Sequence, residues 1–437
     1  MCEAARVRIL QHVKRITISS HYFPAILHSD FRALWLAAGA SSTAIWGMMM
    51  ARAWIAFELT DSGLAVGAVT FAGMIPWVLA PLGGALADRF DRARVLRSAV
   101  SLQIVFALIL ATLAFTGSIA LWHLMVLGAA NGLLWAAVEL PAQQALVPNT
   151  VNRAALMNAV LLFGLTPTAV GRLIGPIAGG PMLTGIGAGW IFVLAAVFYG
   201  LSILALRRVE VRSTGGGTRN GAGIRSEVGG NIREALQFLG RNPRVRLIIA
   251  LVTVHCTFTM GFDGLLPVHV EDQFGGGAGT FGALLMGIWA GAVLGIMTLI
   301  MVKSDRGRGR VFFMAGLVSG VGLAWLGLAP TVGLALVGAV MMGAGGAAFV
   351  ALGATFIQEV VPDPIRGGVM SVFLMFAGGI MPVMSLANGA ASDVIDTSIL
   401  IAVPAVIFVV ILVGWSLMGR ELRGLYRAGG LQAATVE

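Results

Sequence analysis

Five ionisable side chains lie inside long apolar stretches of this 437-residue sequence: Arg52, Glu139, Arg172, His255 and Asp263. A charged group at the middle of a bilayer costs roughly 2.5 to 3.5 kcal/mol on insertion scales, so each should face protein or water and have a polar partner. Embedded groups of this kind mark substrate paths and proton relays. We therefore take these residues as the candidate substrate and proton pathway.

The composition indicates that the surrounding elements are membrane helices. Hydrophobic residues make up 58% of the chain and charged residues 11%, and the mean hydropathy is +0.90. Soluble domains carry about 25% charged residues. A spanning helix needs about 20 apolar residues, and charge clusters and Gly/Pro steps divide the chain into twelve such runs. We predict an all-α polytopic membrane protein with 12 transmembrane helices.

The basic residues predict the orientation of these helices. All 29 Lys and Arg residues except Arg52 and Arg172 fall on one side of a twelve-span topology, whereas the opposite loops carry acids. Because Lys and Arg accumulate in cytoplasmic loops, we predict that both termini are cytoplasmic. The net charge of +9 is then an orientation signal, not a sign of nucleic-acid binding. Residues 1–30 lack the apolar core of a cleavable signal peptide, so we expect the first span to be retained.

The two halves of the chain resemble each other. Asp88-Arg89 recurs as Asp305-Arg306, and Gln144 and Pro148 recur as Gln358 and Pro362 at a nearly constant offset. This pattern predicts a duplicated six-helix unit, and because six is even, the two copies are parallel repeats. The predicted segments are a cytoplasmic N-terminal segment (1–30), a first six-helix bundle (31–206), a cytoplasmic linker (207–245), a second six-helix bundle (246–418) and a cytoplasmic tail (419–437). Residues 232–240 of the linker have the spacing of an amphipathic surface helix, with a solvated linker helix as the alternative.

A polar loop closes the predicted second span. The stretch GGALADRFDRARVL, residues 83–96, resembles the loop signature of the major facilitator superfamily, matched at Gly84, Asp88, Arg89 and Arg92. Its D-R-x-D-R form is similar to that of the drug and siderophore exporter branch. The resemblance covers nearly the whole chain and implies a secondary transporter whose two bundles rock about a central site. We expect Asp88 to hold the N-terminus of span eleven, near Arg366, when the cytoplasmic side is shut.

The predicted fifth span contains the stretch GRLIGPIAGG. It resembles the exporter signature of the same superfamily, matched at Gly171, Gly175, Pro176, Gly179 and Gly180. A spacing of four places Gly171, Gly175 and Gly179 on one helix face, where another backbone can approach closely, and Pro176 permits a bend. Such a face could seal one side of the transport cavity. The alternative is a structural packing face with no part in gating.

The superfamily resemblance implies that spans one, four and seven line the cavity, with span five beside them. Counting 1.5 Å per residue, Arg52 and Asp263 lie toward the outer ends of their helices, Glu139 toward the cytoplasmic end, and Arg172 and His255 near the middle. We therefore expect two ion pairs, Arg52 with Asp263 and Arg172 with Glu139. Asp263 and Glu139 are the candidate proton carriers, and each has a structural alternative. His255 is expected to form an interhelical hydrogen bond.

Together the residues and the resemblance predict proton-coupled efflux of an amphiphilic small molecule, such as a drug or siderophore, by a monomer in a bacterial inner membrane. A lysophospholipid or metabolite transporter of the same fold stays open, as does a transporter-like receptor. An enzyme is disfavoured because the six histidines are scattered and the chain has no phosphate-binding G-x-x-x-x-G-K-[ST] loop. We expect no cofactor and no metal.

Overall fold

The structure, a computed structural model, describes residues 24–79, 91–209, 224–302 and 305–418. Its described part consists of helices and turns, without strands. The first group of helices is α1 (Ser29–Thr60), α2 (Gly63–Met74), α3 (Arg92–Phe115), α4 (Leu121–Leu133), α5 (Leu140–Leu146), α6 (Leu156–Gly185) and α7 (Ala188–Leu206). After the linking helix α8 (Ile224–Arg241), the second group is α9 (Pro243–Met260), α10 (Leu266–Phe274), α11 (Ala278–Met301), α12 (Asp305–Leu328), α13 (Val332–Val360), α14 (Asp363–Ser392) and α15 (Thr397–Met418).

The predicted all-α membrane architecture is confirmed. Ten helices of the described part are long and apolar enough to cross a membrane, counting α4 and α5 as one. The second predicted span begins as α2 and continues as a 3-10 turn, Ile75–Leu79, up to the last described residue of that range. The fifth is the 30-residue helix α6. The total of twelve spans stays a prediction.

The seventh predicted span differs from the continuous run expected over 246–270. Helix α9 ends at Met260 and α10 begins at Leu266, so residues 261–265 form a break. Two glycines in this break, Gly261 and Gly264, leave room for the neighbouring helix α14, and Pro267 starts α10 because its missing N–H is tolerated in a first turn. Asp263 lies in the break.

Each helix group has its own buried core. The first core surrounds Phe192 and Tyr199, and the second surrounds Phe349 and Phe408. A third cluster combines side chains of both groups, among them Met50 and Phe281. The molecule therefore consists of two packed bodies that share a smaller contact region.

Helix α8 packs on the second group. Ala235 and Leu239 are buried in the second core, and the helix contacts α9 and α14. It is longer than the segment 232–240 that the sequence indicated, and its buried residues face protein.

One end of the molecule carries acidic residues, and we call it the acidic end. Its members are Glu58, Asp61, Glu271, Asp272, Asp393 and Asp396. Partial burial raises the pKa of Asp272, and the negative charges of Asp396 and Asp61 raise it further. A hydrogen bond from the Ser398 backbone N–H lowers the pKa of Asp396. Proton uptake by Asp272 would therefore relieve repulsion within this end.

At the acidic end the two groups meet along a seam of small residues on α2 and α14. The seam consists of Gly63, Gly67, Ser385, Gly389 and Ser392, and a Cβ at Gly67 would lie 2.8 Å from the Ser385 carbonyl oxygen. The Gly63 N–H donates to Asp393 Oδ1 at 3.3 Å. The absence of side chains thus lets the two backbones touch, as small residues do between membrane helices.

Helices α6 and α11 also meet at the acidic end. A Cβ at Gly180 would lie 3.4 Å from Gly282 Cα. The opposite end of these helices carries basic residues such as Arg153, just before α6, and Arg366, in the first turn of α14, and we call it the basic end. There Met157 is 74% exposed and Met301 is 80% exposed. The glycines of these helices thus touch at the acidic end, whereas Met157 and Met301 are exposed at the basic end.

We expect Gly67→Ala to loosen the acidic-end seam, because the added methyl group would press on the Ser385 carbonyl oxygen. A cysteine at Thr70, which lines the cavity between the groups, should then react several-fold faster with a membrane-impermeant maleimide added from the acidic side. The background carries replacements of Cys2 and Cys256. Gly200→Ala is the matched control, because a Cβ there meets nothing within 4 Å. Equal labelling rates in the two variants would contradict this role of the seam.

Candidate substrate and proton site

A cavity lies between the two helix groups. Side chains from α1, α2, α6, α11 and the 261–265 break line it, and about 60 Å³ is open, enough for a few water molecules. Its charged lining residues are Arg52 and Asp263, and its aromatic ones include Trp46 and Trp289. The cavity thus combines both groups and two of the predicted pathway residues.

The glycine face of α6 packs directly on α1. Gly171 lies against Ser42, Gly175 against Gly47 and Gly179 against Met50. Arg172 follows Gly171 in the sequence, and this close packing brings its side chain alongside Trp46.

Arg172 contacts an aromatic ring from each helix group. Its guanidinium carbon lies 4.1 Å from the centre of the Trp46 ring and 4.0 Å from that of Trp289. The two rings are 5.5 Å apart and inclined by 55°. Cation–π contacts are strongest where water is excluded, and a guanidinium is well suited to stacking on rings. Arg172 therefore links α1 to α11 across the boundary between the groups.

The two predicted ion pairs, Arg52 with Asp263 and Arg172 with Glu139, are wrong. Neither forms in the described part of the chain. The carboxylate near Arg172 is instead that of Asp263. The charges of Arg52 and Glu139 instead both act on Tyr199, so they belong to one region within the first group.

Arg52 occupies a space that two glycines leave between α2 and α4. A Cβ at Gly128 would lie 3.1 Å from one terminal guanidinium nitrogen of Arg52, and a Cβ at Gly73 would lie 3.6 Å from the other. The side chain is 2% exposed, and its Nη1 is buried without a hydrogen bond to the described residues.

Glu139 is fully buried at the end of a π-helical turn, Leu134–Glu139. Pro141 follows and cannot donate a backbone hydrogen bond, which accounts for the irregular turn. Gln143 Nε2 donates to Glu139 Oε1 at 2.8 Å, while Glu139 Oε2 has no partner among the described residues. The side chains of Ser41 and Gln103 are its other polar neighbours.

His255 lies in the second core and does not line the cavity between the groups. Its Nε2 is 2.9 Å from Ser319 Oγ, and the rings of Phe349 and Phe408 lie against it, each with a centroid distance of 5.0 Å. This arrangement is the interhelical hydrogen bond that the sequence favoured.

The predicted gating loop is only partly described. Gly84, Asp88 and Arg89 lie outside the described residues, as does the expected contact of Asp88. Arg92 begins α3 and donates from Nη1 to the Ala145 carbonyl oxygen at 3.1 Å, within the first group.

Trp77 and Tyr199 are aromatic residues near the site that the sequence did not single out. Trp77 contacts Trp135 at a centroid distance of 5.0 Å and Trp46 at 6.3 Å. Tyr199 is fully buried, and its hydroxyl lies 3.4 Å from the Asn131 side chain. The neighbouring Pro76 could have indicated Trp77 as a site residue, because prolines within spans mark irregular backbone that must be buried in protein or line a cavity.

The fold resembles that of solved transporters. It matches the nucleoside transporter NupG with a TM-score of 0.67 and 13% identity, covering 89% of this chain and 100% of that one. It matches the xylose transporter XylE of E. coli in an inward open conformation with a TM-score of 0.66 and 14% identity, covering 90% of this chain and 99% of that one. These matches show a fold shared with solved transporters, in which two helix groups surround a common cavity.

Residues 20–423 match the family described as transmembrane secretion effectors, and the chain belongs to it. Similar curated proteins include the staphyloferrin A transporter of Staphylococcus aureus, 22% identical over 78% of this chain and 84% of that protein. The multidrug efflux pump Tap of Mycolicibacterium fortuitum is 24% identical over 83% of this chain and 88% of that protein. The enterobactin exporter EntS of Shigella boydii is 27% identical over 78% of this chain and 80% of that protein.

We expect Ser319→Ala to affect stability and not the pH dependence of transport. The change leaves His255 Nε2 without its partner, which should cost about 1 kcal/mol and lower the Tm of the purified protein. Ser416→Ala is the control, because that exposed hydroxyl bonds only to its own helix. A shifted pH profile of efflux in Ser319→Ala would show instead that His255 belongs to the proton path.

Proposed function

We propose that this chain exports an amphiphilic small molecule from a bacterial cell by alternating access across the inner membrane. The observation that carries the proposal is the cavity between the two helix groups, because both groups line it. The first group contributes Trp46 and Arg52, and the second contributes Asp263 and Trp289. The drug and siderophore exporters among the relatives support the outward direction. One chain provides both walls, so we propose a monomer as the working unit.

The proposed transport state of this structure is closed at the acidic end and ready to open at the basic end. The seam between α2 and α14 and the Gly180–Gly282 contact shut one side, while Met157 and Met301 are exposed at the other. With the basic end facing the cytoplasm, as the charge distribution predicts, cargo would enter from the cytoplasm. Opening the seam would release it outside.

Cargo binding requires the cavity to widen. Drug-sized ligands occupy pockets of about 300 to 1,000 Å³, and only about 60 Å³ is open here. Met49 and Met50 line the cavity, and their flexible thioether side chains adapt readily to varied apolar cargo.

Two carboxylates could exchange the proton that would drive export. Asp263 lies at the cavity, within the break in the seventh span, and has Arg172 as its opposite charge. Glu139 is fully buried with one oxygen unpartnered in the described part of the chain. A buried carboxylate without a fixed cation can gain and lose a proton as its surroundings change.

Efflux in proteoliposomes across a pH series tests this part of the proposal. We expect Asp263→Asn or Glu139→Gln to abolish the stimulation of efflux by an imposed pH gradient, with at least a tenfold loss of rate at the wild-type optimum. Glu359→Gln is the control, because that side chain is half-exposed and pairs with Arg308. Full stimulation in both variants would remove these residues as proton carriers.

The direction of transport is tested separately with inside-out vesicles. The proposed export predicts that a fluorescent amphiphile accumulates inside such vesicles when they are energised. Loss from preloaded vesicles would instead indicate an importer.

A further inference from the structure

We infer that the cargo of this transporter carries an anionic group, and that Arg172 binds this group with the hydrogen-bond donors that Asp263 leaves free. The inference rests on the proposed export function and identifies the chemical class of the cargo. Three features of the cavity support it: the unused donors of Arg172, the balance of charge, and the apolar surface around them.

The guanidinium of Arg172 keeps hydrogen-bonding capacity. It carries five N–H donors, and the two indole rings that hold it offer no oxygen or nitrogen acceptor. Its Nε is buried without a partner among the described residues. Its nearest opposite charge, Asp263, acts on it without forming a direct ion pair there. A planar guanidinium with free donors is suited to a carboxylate, sulfonate or phosphate, which accepts two parallel hydrogen bonds.

The charges around the cavity are unequal. Arg52 lines it and Arg172 lies on two of its lining rings, whereas Asp263 is the one carboxylate among the lining residues of the described part. Glu139 is hydrogen-bonded to Gln143 inside the first group and does not line the cavity. A cation beside the cavity that forms no direct ion pair with a described residue favours an anionic ligand, since an uncompensated charge is costly in a water-poor site.

The surroundings of Arg172 determine the rest of the cargo. The rings of Trp46 and Trp289 and the thioethers of Met49 and Met50 present apolar surface beside the guanidinium. An acidic amphiphile would place its anionic group on the edge of Arg172 and its apolar body against these side chains. The two rings belong to different helix groups, so this ligand would contact both groups at once.

Three probes with the same ring and different charge test the inference: 1-naphthoate, 1-naphthamide and 1-naphthylmethylammonium. Thermal unfolding of the purified full chain is measured with each. We expect 1-naphthoate to raise the Tm more than the other two probes do. Arg172→Gln should reduce its effect to that of 1-naphthamide, whereas Arg153→Gln, a change of an exposed arginine at a turn, should leave it unchanged.

A second variant keeps the test decisive if Arg172→Gln fails to fold. Asp263→Asn removes the negative charge that would repel the anionic probe beside Arg172, so the Kd for 1-naphthoate should fall several-fold. A higher Kd in this variant would contradict the inference. So would equal Tm shifts from the three probes, no shift from 1-naphthoate, or the largest shift from the cationic probe.

Flux measurements separate this inference from the proposed function. Export of the cationic probe alone by reconstituted protein would overturn the anionic cargo and leave export standing. Charge-selective binding of 1-naphthoate without transport of any of the three probes would leave the Arg172 site standing and count against export.

Discussion

The structure depends on how the guanidinium of Arg172 is held between aromatic rings at the boundary between the two helix groups. An arginine in the membrane interior costs roughly 2.5 to 3.5 kcal/mol unless protein or water compensates it. Arg172 is compensated by the Trp46 ring of the first group, the Trp289 ring of the second and the charge of Asp263. None of these contacts lies within the helix that carries Arg172. The Arg172 side chain is therefore stabilised only when both groups are close together at this point.

The seam at the acidic end satisfies that requirement. The glycines of α2 and α14 let the groups approach to backbone contact, and the same seam receives the break in the seventh span: a Cβ at Gly264 would lie 3.2 Å from Gly67 Cα. Asn388 of α14 donates to the Gly261 carbonyl oxygen at 3.0 Å. Asp263 lies between these two glycines, so separation of the seam would also displace the carboxylate that faces Arg172. Closure of one end and the charge state of the site are thereby connected.

The sequence predicted what depends on local properties. Run lengths and charge placement predicted the helical membrane fold, and the spacing of four in GRLIGPIAGG predicted the face of α6 on which Gly171, Gly175 and Gly179 lie. The ion pairs were wrong because counting residues along a straight helix gives depth without direction around the axis. The π-helical turn before Glu139 and the break at Asp263 change that direction. Trp77 and Tyr199 were missed because neutral aromatic residues in apolar spans resemble ordinary core.

Distance measurements by electron spin resonance test the central proposal, which is alternating access by a pivot of the two helix groups about the cavity that they share. One spin-label pair at the acidic end would replace the exposed residues Leu59 and Val394, and one at the basic end Met157 and Met301. The measurements are made in lipid nanodiscs at a series of pH values. The pivot predicts that each label pair shows two distances, one for each transport state. As pH changes the populations of these states, the mean distance at the acidic end should lengthen while that at the basic end shortens. A single unchanged distance for both pairs, in protein that exports after reconstitution, would contradict it.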